Sequence, residues 1–69
     1  METLHLRDEY IKLGQALKAA GLVGSGVEAK IVIQDGHVKV NGEVDTRRGK
    51  KLVAGDKVEY NGSILKIEM

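Results

Sequence analysis

The sequence predicts an α+β fold in which two packed helices lie against a short antiparallel β-sheet. Apolar residues recur at the three-and-four spacing of a helical face between residues 10 and 20, and the Ser-Gly-Val-Glu pattern at residues 25–28 is typical of a helix start. From residue 37 onward, apolar and polar residues alternate around two Asn-Gly pairs, which indicates β-hairpins. At 69 residues the chain is expected to form a single domain, residues 1–69.

The first strand and the first helix are predicted from periodicity. Residues 1–6 alternate, with Leu4 able to face inward, which predicts a short half-buried strand. Asp8 is expected to cap a helix whose inward face starts at Tyr10, because an aspartate can accept hydrogen bonds from the free amides of a helix N-terminus. Gly21 is expected to end this helix, since glycine readily adopts the left-handed conformation of a C-terminal cap.

Ser25 and Glu28 predict the start of a second helix. In a capping box the serine side chain accepts a hydrogen bond from the Glu28 amide, and the glutamate side chain accepts one from the Ser25 amide. Ala29 and Ile33 share one face of this helix and are expected to pack on the first helix. Gly36 is expected to supply the left-handed cap after about two and a half turns.

The two Asn-Gly pairs predict two hairpins, but the register of the first is open. A two-residue turn would place Val40 opposite Glu43, as turn statistics favour, whereas a three-residue connection would pair Val40 with Val44 and match apolar faces. The second pair is expected to join strands at residues 57–60 and 64–67. Between the hairpins, the segment TRRGKKLVAGDKV is predicted to form an exposed basic loop that includes a short strand.

The available residue types argue against catalysis and metal binding. There is no cysteine, and the two histidines, His5 and His37, lie far apart along the chain, so no metal-ligand spacing is recognisable. Ser25, the serine best placed for nucleophilic chemistry, is better explained as a helix cap. We therefore expect a noncatalytic protein with no cofactor, no metal and no small-molecule substrate.

No segment has the pattern of a membrane span or a secretory signal. No run approaches the ~18 apolar residues of a membrane helix, and the charged start METLHLRDEY lacks the apolar block of a signal peptide. The absence of cysteine also fits a reducing compartment. We expect a cytoplasmic protein that does not contact membranes.

Positive charge is concentrated in the middle of a chain whose net charge is only +1. Between Lys30 and Lys51, six basic residues stand against three acidic ones, and clustered cations bind a phosphate backbone by displacing its counterions together. The chain has no Phe or Trp, and its two Tyr residues are expected in the core, which argues against stacking of single-stranded bases and favours structured RNA. The predicted RNA-binding residues are Lys30, Gln34, His37, Lys39, Asn41, Arg47, Arg48, Lys50 and Lys51.

Three stretches carry a family resemblance: LGQALKAAGLVGSGVEAKIVI, QDGHVKVNGEV and LVAGDKV. In order and spacing they resemble the S-four RNA-binding domain, named after the fourth protein of the small ribosomal subunit, and its small stand-alone bacterial members. The resemblance implies two helices on a short antiparallel sheet with a short flanking strand at each end. It also implies a module that meets structured RNA, such as ribosomal RNA or a ribosome precursor, along the second helix and the adjoining strand and loop. We expect the protein to act as a monomer.

Two positions depart from the family pattern. The arginine usual after the capping serine is Gly26, and the position after Lys30, which is often polar or basic, is Ile31. Both changes remove contacts from the expected RNA-binding face. Either the affinity for RNA is weak, or the basic loop at residues 47–51 has taken over the binding.

Two other functions fit the sequence less well. A DNA-binding helix-turn-helix would also use two helices joined by a glycine turn, but the outward side of the second helix offers few residues able to read base edges. A protein-interaction adaptor is suggested by the apolar Val27 and Ile31 on that same side.

Overall fold

The computed structural model describes residues 2–69, so Met1, the first residue of the predicted N-terminal strand, lies outside the described residues. Helices and strands follow one another in the predicted order, apart from one unpredicted short strand before the first helix, and this confirms the α+β class. The elements are β1 (Glu2–His5), β2 (Ile11–Lys12), α1 (Leu13–Ala19), α2 (Gly26–Gln34), β3 (Val38–Val40), β4 (Glu43–Val44), β5 (Lys51–Leu52), β6 (Lys57–Tyr60) and β7 (Ser63–Glu68).

The strands form a five-stranded sheet in the order β1-β7-β6-β3-β4 and a separate two-stranded sheet of β2 with β5. Neighbouring strands are antiparallel except β1 and β7, which run parallel with Leu4 opposite Ile67. The larger sheet is therefore mixed, whereas the sequence predicted antiparallel pairing alone. Parallel strands need a long connection, and here the chain between β1 and β7 supplies it. The alternation of apolar and polar residues within a strand does not indicate whether its partner runs parallel or antiparallel.

The first hairpin adopts the two-residue turn. Val40 lies opposite Glu43, and Asn41 and Gly42 have φ angles of 53° and 85°, as a type I′ turn requires. Val44 consequently points away from the core and is 54% exposed. The backbone preference of the Asn-Gly pair therefore outweighs the pairing of Val40 with Val44. The second Asn-Gly turn, between β6 and β7, has the same conformation.

The core lies between the two helices and one face of the larger sheet. Val38, Val58 and Leu65 are fully buried on three neighbouring strands of that face. Complete burial of one such side chain stabilises a fold by about 1.5–3 kcal/mol. The buried cluster consists of Leu13, Ala16, Leu17, Val23, Ala29, Ile33, Val38, Val40, Leu52, Val58, Leu65 and Ile67.

The first helix begins later than the sequence predicted. Residues 11–12 are extended as β2 because they pair with β5, and α1 starts at Leu13 with Lys12 as its N-cap residue. Asp8 therefore does not cap the helix, and Tyr10 is 40% exposed instead of lying on a buried helical face. Local periodicity could not reveal this start, because the partner strand lies in the second half of the chain.

The second helix begins at its predicted cap. The hydroxyl oxygen of Ser25 accepts a hydrogen bond from the Glu28 amide at 3.1 Å. The Glu28 carboxylate accepts from the amide of Gly24, not from that of Ser25, so the return half of the capping box is shifted by one residue. Gly21 and Gly36 follow α1 and α2 with φ angles of 73° and 80°, as predicted for left-handed caps.

An ion pair orders the start of the loop between β4 and β5. The carboxylate of the buried Asp45 accepts hydrogen bonds from the Arg47 amide at 2.9 Å, from its Nε at 3.0 Å and from its Nη2 at 2.7 Å. The side-chain hydrogen bonds from Arg47 hold the pKa of Asp45 below its ordinary value, against the opposing effect of burial. The Asp45 amide donates to the Val38 carbonyl at 3.1 Å, so the loop is also tied to β3.

Membrane spans and metal clusters are both absent from residues 2–69. The longer of the two helices, α2, has 9 residues, and neither helix is long and apolar enough to cross a bilayer. No three histidine, aspartate or glutamate side chains in this part of the chain are grouped so as to hold a metal ion.

Replacing Ser25 by alanine is expected to lower the free energy of unfolding by about 1 kcal/mol, because the Glu28 amide loses its acceptor. Urea denaturation followed by circular dichroism measures this change. Ser25→Asp is the matched control, since its carboxylate can accept the same hydrogen bond and should retain most of the stability. An equal loss in both variants would contradict a capping role for Ser25.

Replacing Asp45 by asparagine is expected to lower the free energy of unfolding at neutral pH by about 1–2 kcal/mol, because charge-assisted hydrogen bonds to the exposed Arg47 guanidinium are weakened. The pKa of Asp45 in the folded protein lies below its unfolded value of about 3.9. The stabilisation is therefore fully present above that pH and is lost as the pH falls through the folded-state pKa. The difference between wild type and variant should therefore shrink in urea titrations at progressively lower pH. Asp35→Asn, an exposed position, serves as control. A pH-independent difference would contradict the assignment.

Candidate nucleic-acid interface

The basic loop between β4 and β5 is fastened to the N-terminus of α1. The Leu13 amide donates to the Lys50 carbonyl at 2.8 Å, and the Gly14 amide donates to the Arg48 carbonyl at 3.1 Å. The first amides of a helix have no partner inside the helix, so the loop carbonyls supply acceptors that α1 needs. This attachment sets the position of the Arg48 side chain relative to α1.

Gly14 allows the loop to approach the helix closely. A Cβ atom built on Gly14 would lie 2.9 Å from Cγ of Arg48 and 3.6 Å from its carbonyl oxygen. The first distance is shorter than real Cβ contacts, so any side chain at this position would push Arg48 away. A glycine at residue 14 therefore keeps the Arg48 stem against α1.

An open cleft lies between α1, α2 and the basic loop. Lys12 and Lys18 line it from the two ends of α1. Lys30 lines it from α2, and Arg48 lines it from the loop. Within residues 2–69, no carboxylate lines this cleft and none of the four cations forms an ion pair. Charges of one sign facing one concavity raise the local positive potential, which attracts a polyanion.

Two of the residues predicted from the sequence, Lys30 and Arg48, meet in this cleft. Lys39 lies elsewhere, because its neighbours Val38 and Val40 are both buried and successive strand side chains point to opposite faces. Lys39 therefore points away from the helices, on the outer face of the sheet. Lys30 and Lys39 do not share one concave surface.

The side chains of two other predicted residues form hydrogen bonds within the fold. The Asn41 side chain donates to the Asp56 carboxylate at 2.9 Å and accepts from the Lys57 amide at 2.9 Å, which braces the hairpin turn. The Arg47 guanidinium is bound by Asp45 through two side-chain hydrogen bonds. Both side chains have a structural role that the sequence patterns did not reveal.

The remaining predicted residues lie around the periphery of the cleft or apart from it. Nζ of Lys51 is 4.8 Å from the centre of the Tyr10 ring, a cation–π contact. His37 lines a separate pocket at the far end of α2, and Gln34 is exposed on the last turn of that helix. Lys50 is half-buried and contributes its carbonyl to the attachment of the loop.

The sequence patterns missed Lys12 and Lys18 as members of the cleft. A signal was present, since the polar residues Lys12, Gln15 and Lys18 recur at a spacing of three, which places them along one side of a helix. Lys12 and Lys18 lie outside the segment between residues 30 and 51 where basic residues are concentrated along the chain. Because the cleft lies between two helices, basic residues of both line it.

Comparisons with known proteins agree with this architecture. The sequence matches the S4 domain family over residues 4–68. It is 50% identical over 54 residues to the "Probable ribosome maturation protein RlbA" of Bacillus subtilis, covering 78% of this chain and 76% of that protein. It is 41% identical over 58 residues to the "Putative RNA-binding protein YbcJ" of Escherichia coli, covering 84% and 83% respectively.

The solution structure of E. coli YbcJ is similar over the whole chain. It has a TM-score of 0.77 at 38% identity and covers 100% of this chain and 89% of YbcJ, whose structure was described as revealing an alpha-L motif involved in RNA binding. The "Ribosomal large subunit pseudouridine synthase B" of B. subtilis is 42% identical over 57 residues, a match that covers 83% of this chain but 22% of the enzyme. The family match over residues 4–68 and the agreement of folds confirm the resemblance found in the sequence, and the protein belongs to the S4 domain family.

Proposed function

We propose that this protein is a noncatalytic module that binds structured RNA through the cleft between α1, α2 and the basic loop. The observation that carries the proposal is the convergence of Lys12, Lys18, Lys30 and Arg48, which come from three parts of the chain and form no ion pair within residues 2–69. Cations gathered in this way neutralise several phosphates together and release their counterions. The RNA-binding description of YbcJ supports the same conclusion.

Structured RNA suits this surface better than the major groove of DNA. The outward side of α2 exposes Val27 by 69% and Ile31 by 53%, and neither side chain can hydrogen bond to a base edge. The cleft instead offers cations for phosphates and the Gln15 side chain, a pattern that fits recognition of backbone and shape. A helix-turn-helix that reads DNA sequence is therefore disfavoured.

The RNA that we propose is ribosomal, free or within a ribosome precursor. The support is the name of the B. subtilis relative, which describes ribosome maturation. The match to a pseudouridine synthase covers 22% of that enzyme, and we assign no catalytic residue to this chain. Action as a monomer in the cytoplasm remains a prediction.

Residues outside the cleft have a secondary place in the proposal. Lys50 and Lys51 adjoin the loop and can extend the contact with the RNA backbone, whereas Gln34, His37 and Lys39 lie outside the cleft lining. Lys50 and Lys51 therefore remain predicted contacts at the edge of the interface, and Gln34, His37 and Lys39 would meet only an RNA that extends beyond the cleft.

Affinity for a stem-loop RNA should fall steeply with salt, and Lys18→Ala or Lys30→Ala should weaken binding to stem-loops of different sequence. Each lost phosphate contact should make the slope of log K against log salt shallower by about 1, or somewhat less. Filter binding or fluorescence anisotropy over a salt series measures both quantities. Lys57→Ala is the matched control, since Lys57 is exposed on a strand outside the cleft and its loss changes the net charge equally. Equal weakening by Lys57→Ala would contradict a localised interface.

Arg47 and Arg48 are adjacent in sequence but should respond differently to replacement by alanine. Arg48→Ala removes a cation from the cleft and should weaken RNA binding with a change of less than about 0.5 kcal/mol in the free energy of unfolding. Arg47→Ala removes the two side-chain hydrogen bonds to the buried Asp45 carboxylate, leaves it only the backbone amide of residue 47, and should lower the stability of the fold measurably more than Arg48→Ala does. Parallel measurements of thermal unfolding and RNA affinity separate the two effects. Equal loss of stability in both variants would contradict this division of roles.

A further inference from the structure

Tyr10 is exposed beside the cleft although its spacing predicts a buried helical position. It precedes β2, whose pairing with β5 keeps this part of the chain out of the helix. The side chain of Lys51, on the partner strand β5, places Nζ 4.8 Å from the centre of the Tyr10 ring. The tyrosine, at 40% exposure, is thus a surface aromatic ring next to a cation.

A second groove runs along Tyr10, between the end of β1 and the first helix. Leu6 and Ile11 line its apolar part and pack against the core. Arg7 and His5 are exposed along the same groove and supply hydrogen-bond donors. The groove therefore combines an aromatic ring and an apolar wall with polar groups.

This groove adjoins the cationic cleft at Gln15, the side chain that lines both of them. Tyr10 lines the groove and is 40% exposed, whereas Lys51, which contacts its ring, does not line the groove. An RNA backbone bound by Lys12 and Lys18 would lie next to Gln15, the side chain that the cleft and the groove share.

We propose that Tyr10 and this groove bind one unpaired nucleobase of an RNA whose backbone lies in the cleft. The proposal rests on the proposed RNA-binding function. A nucleobase has a flat face that stacks on an aromatic ring and an edge that forms hydrogen bonds. Arg7 can donate to carbonyl or ring-nitrogen acceptors of the base, and Asp8, which also lines the groove, can accept from an exocyclic amino group.

The binding test compares two stem-loop RNAs, one blunt and one with a short single-stranded 3′ extension that contains 2-aminopurine. Wild type is expected to bind the extended RNA at least about fivefold more tightly, and stacking should quench the 2-aminopurine fluorescence. Tyr10→Leu should lose both the preference and the quenching, yet keep the affinity and salt slope for blunt RNA. Tyr10→Phe retains the ring and should keep both.

The outcomes separate this proposal from the one on which it rests. The stacking site would be refuted if Tyr10→Leu kept both the preference for the extended RNA and the quenching. It would also be refuted if wild type bound both RNAs but showed neither the preference nor the quenching. Failure of wild type to bind either RNA would refute the RNA-binding function itself. Should Tyr10→Leu not fold, photo-crosslinking of 5-iodouridine in the extension to the wild-type chain decides the matter. A crosslink at Tyr10 supports the site, and a crosslink elsewhere or none overturns it.

Discussion

Two backbone hydrogen bonds, from the amides of Leu13 and Gly14 to carbonyls of the basic loop, fasten that loop to α1 on the side proposed to bind RNA. Each satisfies an amide that has no partner within α1, and a buried donor left without an acceptor would cost about 1–3 kcal/mol. The helix start and the loop therefore stabilise each other. The adjoining pairing of β2 with β5 keeps the preceding residues extended, which both delays α1 and leaves Tyr10 on the surface. Glycine at residue 14 permits the approach, because a Cβ atom there would collide with Arg48.

The electrostatic character of the protein follows from this attachment more than from its net charge of +1. Like charges on two helices and one loop face the same concavity, so they repel one another until a polyanion is present. Neighbouring cations can nonetheless have opposite roles. Arg47 is bound to the buried Asp45 and orders the loop, whereas Arg48 lines the cleft without an ion pair within residues 2–69. The number of cations in a segment is therefore a poor measure of the charge that a ligand meets.

A chain of 69 residues without cysteine has a small core, so helix caps, ion pairs and hydrogen bonds at turns contribute a large share of its stability. Several of these devices adjoin the proposed interface. Ser25 caps α2 and also lines the cleft, and the ion pair of Asp45 with Arg47 begins the loop that carries Arg48. Asn41 braces the first hairpin against the connection that precedes β6. The same residues that stabilise a small fold thus hold its binding surface in shape, which is why substitutions near the cleft must be tested for both stability and affinity.

The sequence by itself determined the features that depend on a few consecutive residues. The cap at Ser25, the glycine helix ends and the Asn-Gly turns are set by backbone preferences and short-range hydrogen bonds, so they were predictable, as was the family. Only the tertiary structure decided the parallel pairing of β1 with β7, the start of α1, and the grouping of Lys12 and Lys18 with Lys30 and Arg48. These features depend on contacts between segments that are distant along the chain. Such contacts are selected by the packing of the complete core and by hydrogen bonds between chain segments that meet only after folding. A local pattern, such as the spacing of Lys12, Gln15 and Lys18, can indicate a shared helical face but not which distant residues that face will meet.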